Sequence, residues 1–153
     1  MAQGTAIQSA WKVIPQLQSR NLQASIEFYS VKLGFAIGGV HTDEGTNDPI
    51  FASVYAGNKA VANIYLSQLA EEVQSGVITG STIWIALGTE QVDNFYARLK
   101  SDRDVMIAED ISDKLWGYRQ FAVKDPDGHR LIFFKFLEGG NPGTTTDDKG
   151  SKP

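Results

Sequence analysis

No cysteine occurs in the 153 residues, and histidine is limited to His41 and His129. The lack of thiols excludes disulfides, cysteine-bound zinc, iron–sulfur clusters and thiol nucleophiles together. Two histidines leave few routes to a metal or to acid–base catalysis. Positive charge is scarce as well: 14 Lys and Arg against 18 Asp and Glu give a formal charge of −4 and an isoelectric point near 5.1. A binder of phosphate backbones needs a basic face, so nucleic acid is not expected as a partner. No window approaches the roughly 18 apolar residues of a membrane span. Residues 1–10 lack the cationic start and apolar run of a secretory signal, so they read as a flexible N-terminus of a cytoplasmic protein. From Gly139 to Pro153 there is no large apolar residue, and this stretch reads as a disordered, solvated tail. What remains, residues 11–138, is the length of one globular domain able to bury a core.

Within that domain the apolar periodicity changes several times. Trp11 to Leu17 alternates bulky and polar residues across Pro15, which suits an edge or exchanged strand, because proline donates no ladder N–H. Leu22, Ile26, Tyr29 and Leu33 fall on one helical stripe, stopped by Gly34. Strands are predicted over Phe35–His41, Ile50–Tyr55 and Ala60–Leu66, with a hairpin turn at Gly57-Asn58 and an acidic loop from His41 to Pro49. The order then repeats: a strand over Ile83–Leu87, a helical stripe of Val92, Phe95, Tyr96 and Leu99, and strands over Val105–Ala108, Tyr118–Lys124 and Arg130–Leu137. Asp125-Pro126-Asp127-Gly128 supplies strong turn chemistry between the last two. Phe28-Tyr29 and Phe95-Tyr96 mark equivalent places in the two helices. The reading is α+β, two tandem βαβββ modules at about 11–70 and 80–138, whose sheets leave a cleft on the faces that their helices do not cover.

Three stretches carry a resemblance. IPQLQSRNLQASIEFYSVKLGF (Ile14 to Phe35), TIWIALGTEQVDNFYARL (Thr82 to Leu99) and WGYRQFAVKDPDGHRLIFF (Trp116 to Phe134) resemble the vicinal oxygen chelate superfamily. That superfamily includes glyoxalase I, extradiol dioxygenases, fosfomycin resistance proteins and bleomycin resistance proteins. Its metal-dependent members take one His, Gln or Glu ligand from each of four strands, and the resemblance puts those positions at Ile14, Asn63, Trp84 and Ile132. Three of these are apolar and cannot coordinate a cation, so neither a metal nor another cofactor is expected. Gln16 and His41 are two scattered donors and do not make a site.

The loss of the chelate, with Pro15, Arg20, Trp116-Gly117 and Arg119-x-Phe121-Ala122, is most similar to the bleomycin resistance branch. The resemblance implies a homodimer with an exchanged N-terminal strand, which sequesters an aromatic or cationic glycopeptide-like antibiotic without catalysis. A metal-dependent glyoxalase-like lyase, isomerase or dioxygenase, and a binding module for an endogenous metabolite, are the alternatives. Trp116 is the first candidate for stacking on a planar ligand. Trp84 is expected to point into the cleft. Asn63 and Tyr65 share one strand face and offer a polar and an aromatic wall; Phe51 and Tyr55 neighbour them. Tyr118, an extra residue between Trp-Gly and the Arg, re-aims the tryptophan. Asp43, Glu44 and Asp48 in one loop, and Glu109, Asp110 and Asp113 in another, are read as acidic rims that attract a cationic ligand. His129 follows a turn glycine and is expected to be exposed.

Overall fold

The computed structural model describes residues 4, 6–70, 80–88 and 91–139. The first module runs β1 (Gln16–Ser19), α1 (Leu22–Glu27), β2 (Ala36–Thr42), β3 (Pro49–Ala56) and β4 (Ala62–Gln68). The second runs β5 (Thr82–Ala86), α2 (Val92–Lys100), β6 (Met106–Asp113), β7 (Tyr118–Lys124) and β8 (Arg130–Phe136). Each forms a four-stranded sheet in the same order, β1-β4-β3-β2 and β5-β8-β7-β6, in which only the first pair is parallel. The expected βαβββ repeat is therefore present. The proposed tail from residue 140 onward, and residues 1–3 and 5 of the proposed flexible N-terminus, lie outside the described residues.

Helix α1 starts because the Asn21 side chain accepts the Ala24 N–H, and it passes into one π-helical turn over Phe28–Lys32. Its stripe of Leu22, Ile26, Tyr29 and Leu33 is wholly buried against Leu17, Val54, Ile64 and Leu66. Gly34, at φ +87°, ends it in the left-handed region, which a side chain would strain. In the second module Phe95 packs edge-on against Phe121 and Phe133 at 5.7 and 4.9 Å. Burying each such aliphatic or aromatic side chain contributes about 1.5–3 kcal/mol. Both helices thus cover one face of their sheets, and the opposite, inner faces carry residues of the alternate parity.

Several predicted boundaries shift, most by one or two residues. Strand β1 begins at Gln16 rather than Trp11, because Pro15 offers only its carbonyl, which accepts from Tyr65 N–H at 2.9 Å, and the residues before it stay outside the ladder. The Gly57-Asn58 hairpin is a 3₁₀ turn over Asn58–Ala60, with Lys59 and Ala60 at positive φ, and β4 starts two residues late. Strand β5 closes at Ala86, one residue short. Strand β6 continues past Ala108 to Asp113 through two register shifts, so Glu109, Asp110 and Asp113 lie on a strand and not in a loop.

The DPDG turn joins the modules. Asp125 accepts the Tyr29 hydroxyl at 2.8 Å and the backbone N–H groups of Asp127 and His129 at 2.9 Å each. Asp127 accepts from Arg20 N–H at 2.9 Å and from the Ser25 hydroxyl at 3.2 Å. His129, expected to be exposed, is only 2% exposed. Its Nδ1 accepts the Ser81 N–H at 3.0 Å, which leaves Nε2–H to donate to the Gln18 carbonyl at 2.8 Å. Gly80 lies so close to the Gly128 carbonyl that a Cβ there would collide with it. No helix among the described residues is long and apolar enough to cross a membrane.

Candidate functional site

The period of two sorts the candidate residues onto the inner faces. In the second sheet, Trp84 on β5 stands opposite Ile132 on β8, and Tyr118 on β7 stands opposite Phe136. Tyr118 stacks on Phe134 with centroids 4.4 Å apart and planes 16° apart, and Trp84 meets Phe134 and Tyr118 edge-on at 5.7 and 6.2 Å. Trp84 is nevertheless 49% exposed, so this aromatic group presents a free edge rather than a filled core. Trp116, in the turn before β7, is 58% exposed and fixed by one bond, its Nε1–H donating to Gln120 Oε1 at 3.0 Å. Tyr118 joins the aromatic group itself, in addition to spacing Trp116 from the strand.

Gln120 passes the connection on: its Nε2 donates to Glu109 Oε1 at 3.3 Å. The Glu109 carboxylate also forms an ion pair with Lys114 and another with Arg130, the latter at 3.4 Å. Burial alone would raise Glu109, but the hydrogen bonds from Lys114 and Gln120 and the charges of Lys114 and Arg130 hold it below the usual carboxylate range. The acid read as a free cationic anchor is thus already compensated by its own chain. Asp110 and Asp113 point to the helix side, where Asp110 takes Lys100 and the Tyr96 hydroxyl and Asp113 takes Arg119.

The first module's inner face differs. Phe51 and Tyr65 meet edge-on at 5.0 Å, with His41 6.3 Å from Phe51, and Tyr55 pairs in register with Asn63. Asn63, offered as a polar wall, is 7% exposed and locked: its amide donates to Ser53 Oγ and the Val54 carbonyl at 2.9 Å, and its Oδ1 accepts from Lys12 Nζ at 3.0 Å. A cavity of about 270 Å³ lies between the modules, where Asn63, Val61 and Pro15 face Trp84, Ile83 and Ala86. Asp43 and Asp48 line a different hollow at the outer end of the first module, with Arg20 and Gln68, and Glu44 is exposed in the same loop. The loop closes on itself, Thr46 Oγ1 donating to Asp43 Oδ2 at 3.1 Å, so these acids do not reach the aromatic group.

The four positions that the resemblance assigns to metal ligands do not fit a cation. Trp84 and Ile132 face each other without a donor atom, and Asn63 already holds the Lys12 ammonium, which would repel a divalent ion. Among the described residues no three His, Asp or Glu side chains come together as a ligand set. Two contributors were not singled out from the sequence, Phe134 and Gln120. A lone glutamine inside the apolar run of β7 is the signal that could have found the second.

The model of the Glyoxalase/Bleomycin resistance protein/Dioxygenase superfamily matches residues 13–133. Proteins named bleomycin resistance protein from Geobacillus stearothermophilus and Staphylococcus aureus are 30% identical over 137 residues, covering 82% of this chain and 96% of theirs. Among solved structures, TioX from Micromonospora sp. ML1 shares the fold with a TM-score of 0.66 at 17% identity, over 84% of this chain and 100% of its own. TnmS3, an antibiotic binding protein from Streptomyces sp. CB03234, shares it with a TM-score of 0.63 at 22% identity, over 86% and 98%.

Proposed function

The chain belongs to the Glyoxalase/Bleomycin resistance protein/Dioxygenase superfamily, and on that premise we propose that it binds an aromatic, bleomycin-type antibiotic and protects by sequestering it unaltered, without a metal. The observation that carries this reading is the aromatic group of Trp84, Tyr118 and Phe134, in which Trp84 is half-exposed and stands at a position that the resemblance assigns to a metal ligand, together with the half-exposed Trp116 held by Gln120 on the same module. A flat apolar edge of this kind gains from stacking a planar molecule at small entropic cost. The identity to bleomycin resistance proteins over nearly their whole length supports the same reading.

We also propose a cytoplasmic homodimer with an exchanged N-terminal strand. Trp11 and Val13, the latter 84% exposed, precede β1 as exposed apolar side chains, and within one chain β1 pairs with its own β4. Deleting residues 1–13 should then halve the mass in solution measured by light scattering. An unchanged mass would remove the exchanged strand from the proposal.

Titration of tryptophan fluorescence with bleomycin tests the binding reading. Quenching at micromolar drug is expected, and Trp116→Ala should weaken it by about 1–3 kcal/mol, as loss of an aromatic anchor does. No response at micromolar drug, or stoichiometric metal in the purified protein, would overturn it.

A further inference from the structure

The charges of the second module are sorted by face. On the helix side, acids outnumber the bases that they meet: Arg119 holds Asp93 at 2.8 Å and Asp113 at 2.6 Å, and Lys100 holds Asp110 at 2.8 Å. On the inner face one acid, Glu109, stands against Lys114 and Arg130, and Lys124 shares the face because it lies opposite Arg130 in the ladder. The first module does not redress this, since β1, β2, β3 and β4 contain no Asp, Glu, Lys or Arg, and Lys12 adds a further cation at the junction through Asn63. Among the described residues, a chain with a formal charge of −4 therefore keeps its inner faces net positive.

Arg130 combines partial burial with an unmet donor. Its Nε is buried without a hydrogen-bond partner, and its one ion pair, to Glu109, is long at 3.4 Å, while the side chain as a whole is 40% exposed. A guanidinium so placed retains N–H donors for a carboxylate or similar oxyanion. It stands four residues along β8 from Phe134, a distance of about 13 Å at strand rise. Lys114 Nζ lies over the Trp116 ring, 6.0 Å from its centroid, so an ammonium borders the surface on which a molecule would stack.

We infer that the inner face of the second module selects planar aromatic ligands bearing negative charge, such as polycyclic carboxylates or phenolates, with Arg130 and Lys114 as the residues that set the preference. This rests on the stacking of a planar aromatic ring proposed above, not on the charge of a bleomycin-type ligand, and reverses the cationic preference expected from the acidic loops. Glu109 tempers the selection: it occupies both cations until a ligand oxyanion competes for them.

The test uses one ring system with two charges, 1-pyrenecarboxylate and 1-pyrenemethylammonium, titrated against the full chain by tryptophan fluorescence at 0.05 and 0.3 M salt. The carboxylate should bind at least tenfold more tightly than the ammonium, with the ratio shrinking at high salt. Arg130→Gln should bring the ratio near one by weakening the carboxylate alone. Glu109→Gln should strengthen the carboxylate, a gain that a purely structural carboxylate would not produce. Equal affinities, tighter ammonium binding, or a ratio unmoved by Arg130→Gln would overturn the inference. If neither probe binds while bleomycin still quenches, the charge selection fails and the binding role stands; if bleomycin is silent too, the binding role fails with it.

Discussion

Tyr29 and Tyr96 occupy the same place in the two modules, each following a phenylalanine in its helix and each donating its hydroxyl to an aspartate. Tyr29 reaches Asp125 across the module boundary and is fully buried, whereas Tyr96 reaches Asp110 within its own module at 2.6 Å and the contact is exposed. Burial raises the Tyr29 hydroxyl well above its ordinary value, and the neighbouring Asp125 charge adds to it. The same two residue types therefore make a structural joint in one module and a surface contact in the other. A hydrogen bond gains weight when the groups left behind by its loss cannot return to water. The inner faces divide in the opposite sense: the first module locks its polar groups inward through Asn63, and the second leaves aromatic and cationic groups open.

The largest effect is expected at the joint. Asp125→Ala leaves the Tyr29 hydroxyl and two backbone N–H groups without an acceptor and should cost about 3–5 kcal/mol, summing partly additive losses of about 1–3 kcal/mol each. Urea unfolding measures it, and a loss below about 1 kcal/mol would show that the joint carries little. The pH dependence has a definite sign. Burial raises the Asp125 carboxyl above its ordinary 3.8, against the opposing hydrogen bond from Tyr29. The stability that this group contributes is then fully present below 3.8 and declines as pH rises through the raised value. The deficit of Asp125→Asn relative to the parent should be larger at pH 3.5 than at pH 7.

A smaller effect separates the inner faces. Trp84→Ala should weaken bleomycin binding by about 1–3 kcal/mol, while Tyr65→Ala should weaken it by less than about 0.5 kcal/mol, because Tyr65 packs on Phe51 and belongs to the closed face. Isothermal titration of both variants decides. Equal losses would mean that the ligand spans the two modules, and the contrast between their faces would dissolve.

Much of this was legible in the sequence, and what was not has two causes. The stripe from Leu22 to Leu33, the DPDG turn and the repeated element order are signals within about a dozen residues, and periodicity reads them directly. That Trp84 lies on the inner face was implied by the ligand position that the resemblance assigns to it. The burial of His129 did not, because its partners Gln18 and Ser81 are 111 and 48 residues away and no local pattern marks them. The pairing of Glu109, which the sequence singled out only as a rim acid, escaped for a different reason. The register shifts of β6 erase the alternation that would have extended the strand past Ala108, and with the strand hidden, its pairing with Lys114 and Arg130 was hidden too.

The smallest effect is expected at the exposed counterpart of the joint. Tyr96→Phe removes a hydroxyl whose partner, Asp110, keeps the Lys100 ammonium at 2.8 Å and has water on its open side. The hydrogen bond from Lys100, followed by that from Tyr96, holds the Asp110 carboxyl below its ordinary value. What that ionised group contributes is present at neutral pH and lost only as pH falls through the lowered value. Tyr96→Phe should therefore change stability by less than about 0.5 kcal/mol. The change should vanish in high salt only if it acts through the Lys100 pair. Tyr29→Phe, the same chemical edit in the other helix, should cost about 1–2 kcal/mol independent of salt, since the Asp125 oxygen that it abandons is walled off from solvent. Unfolding of the two variants side by side at low and high salt measures the gap, and equal, salt-sensitive losses would mean that the joint is as wet as the surface.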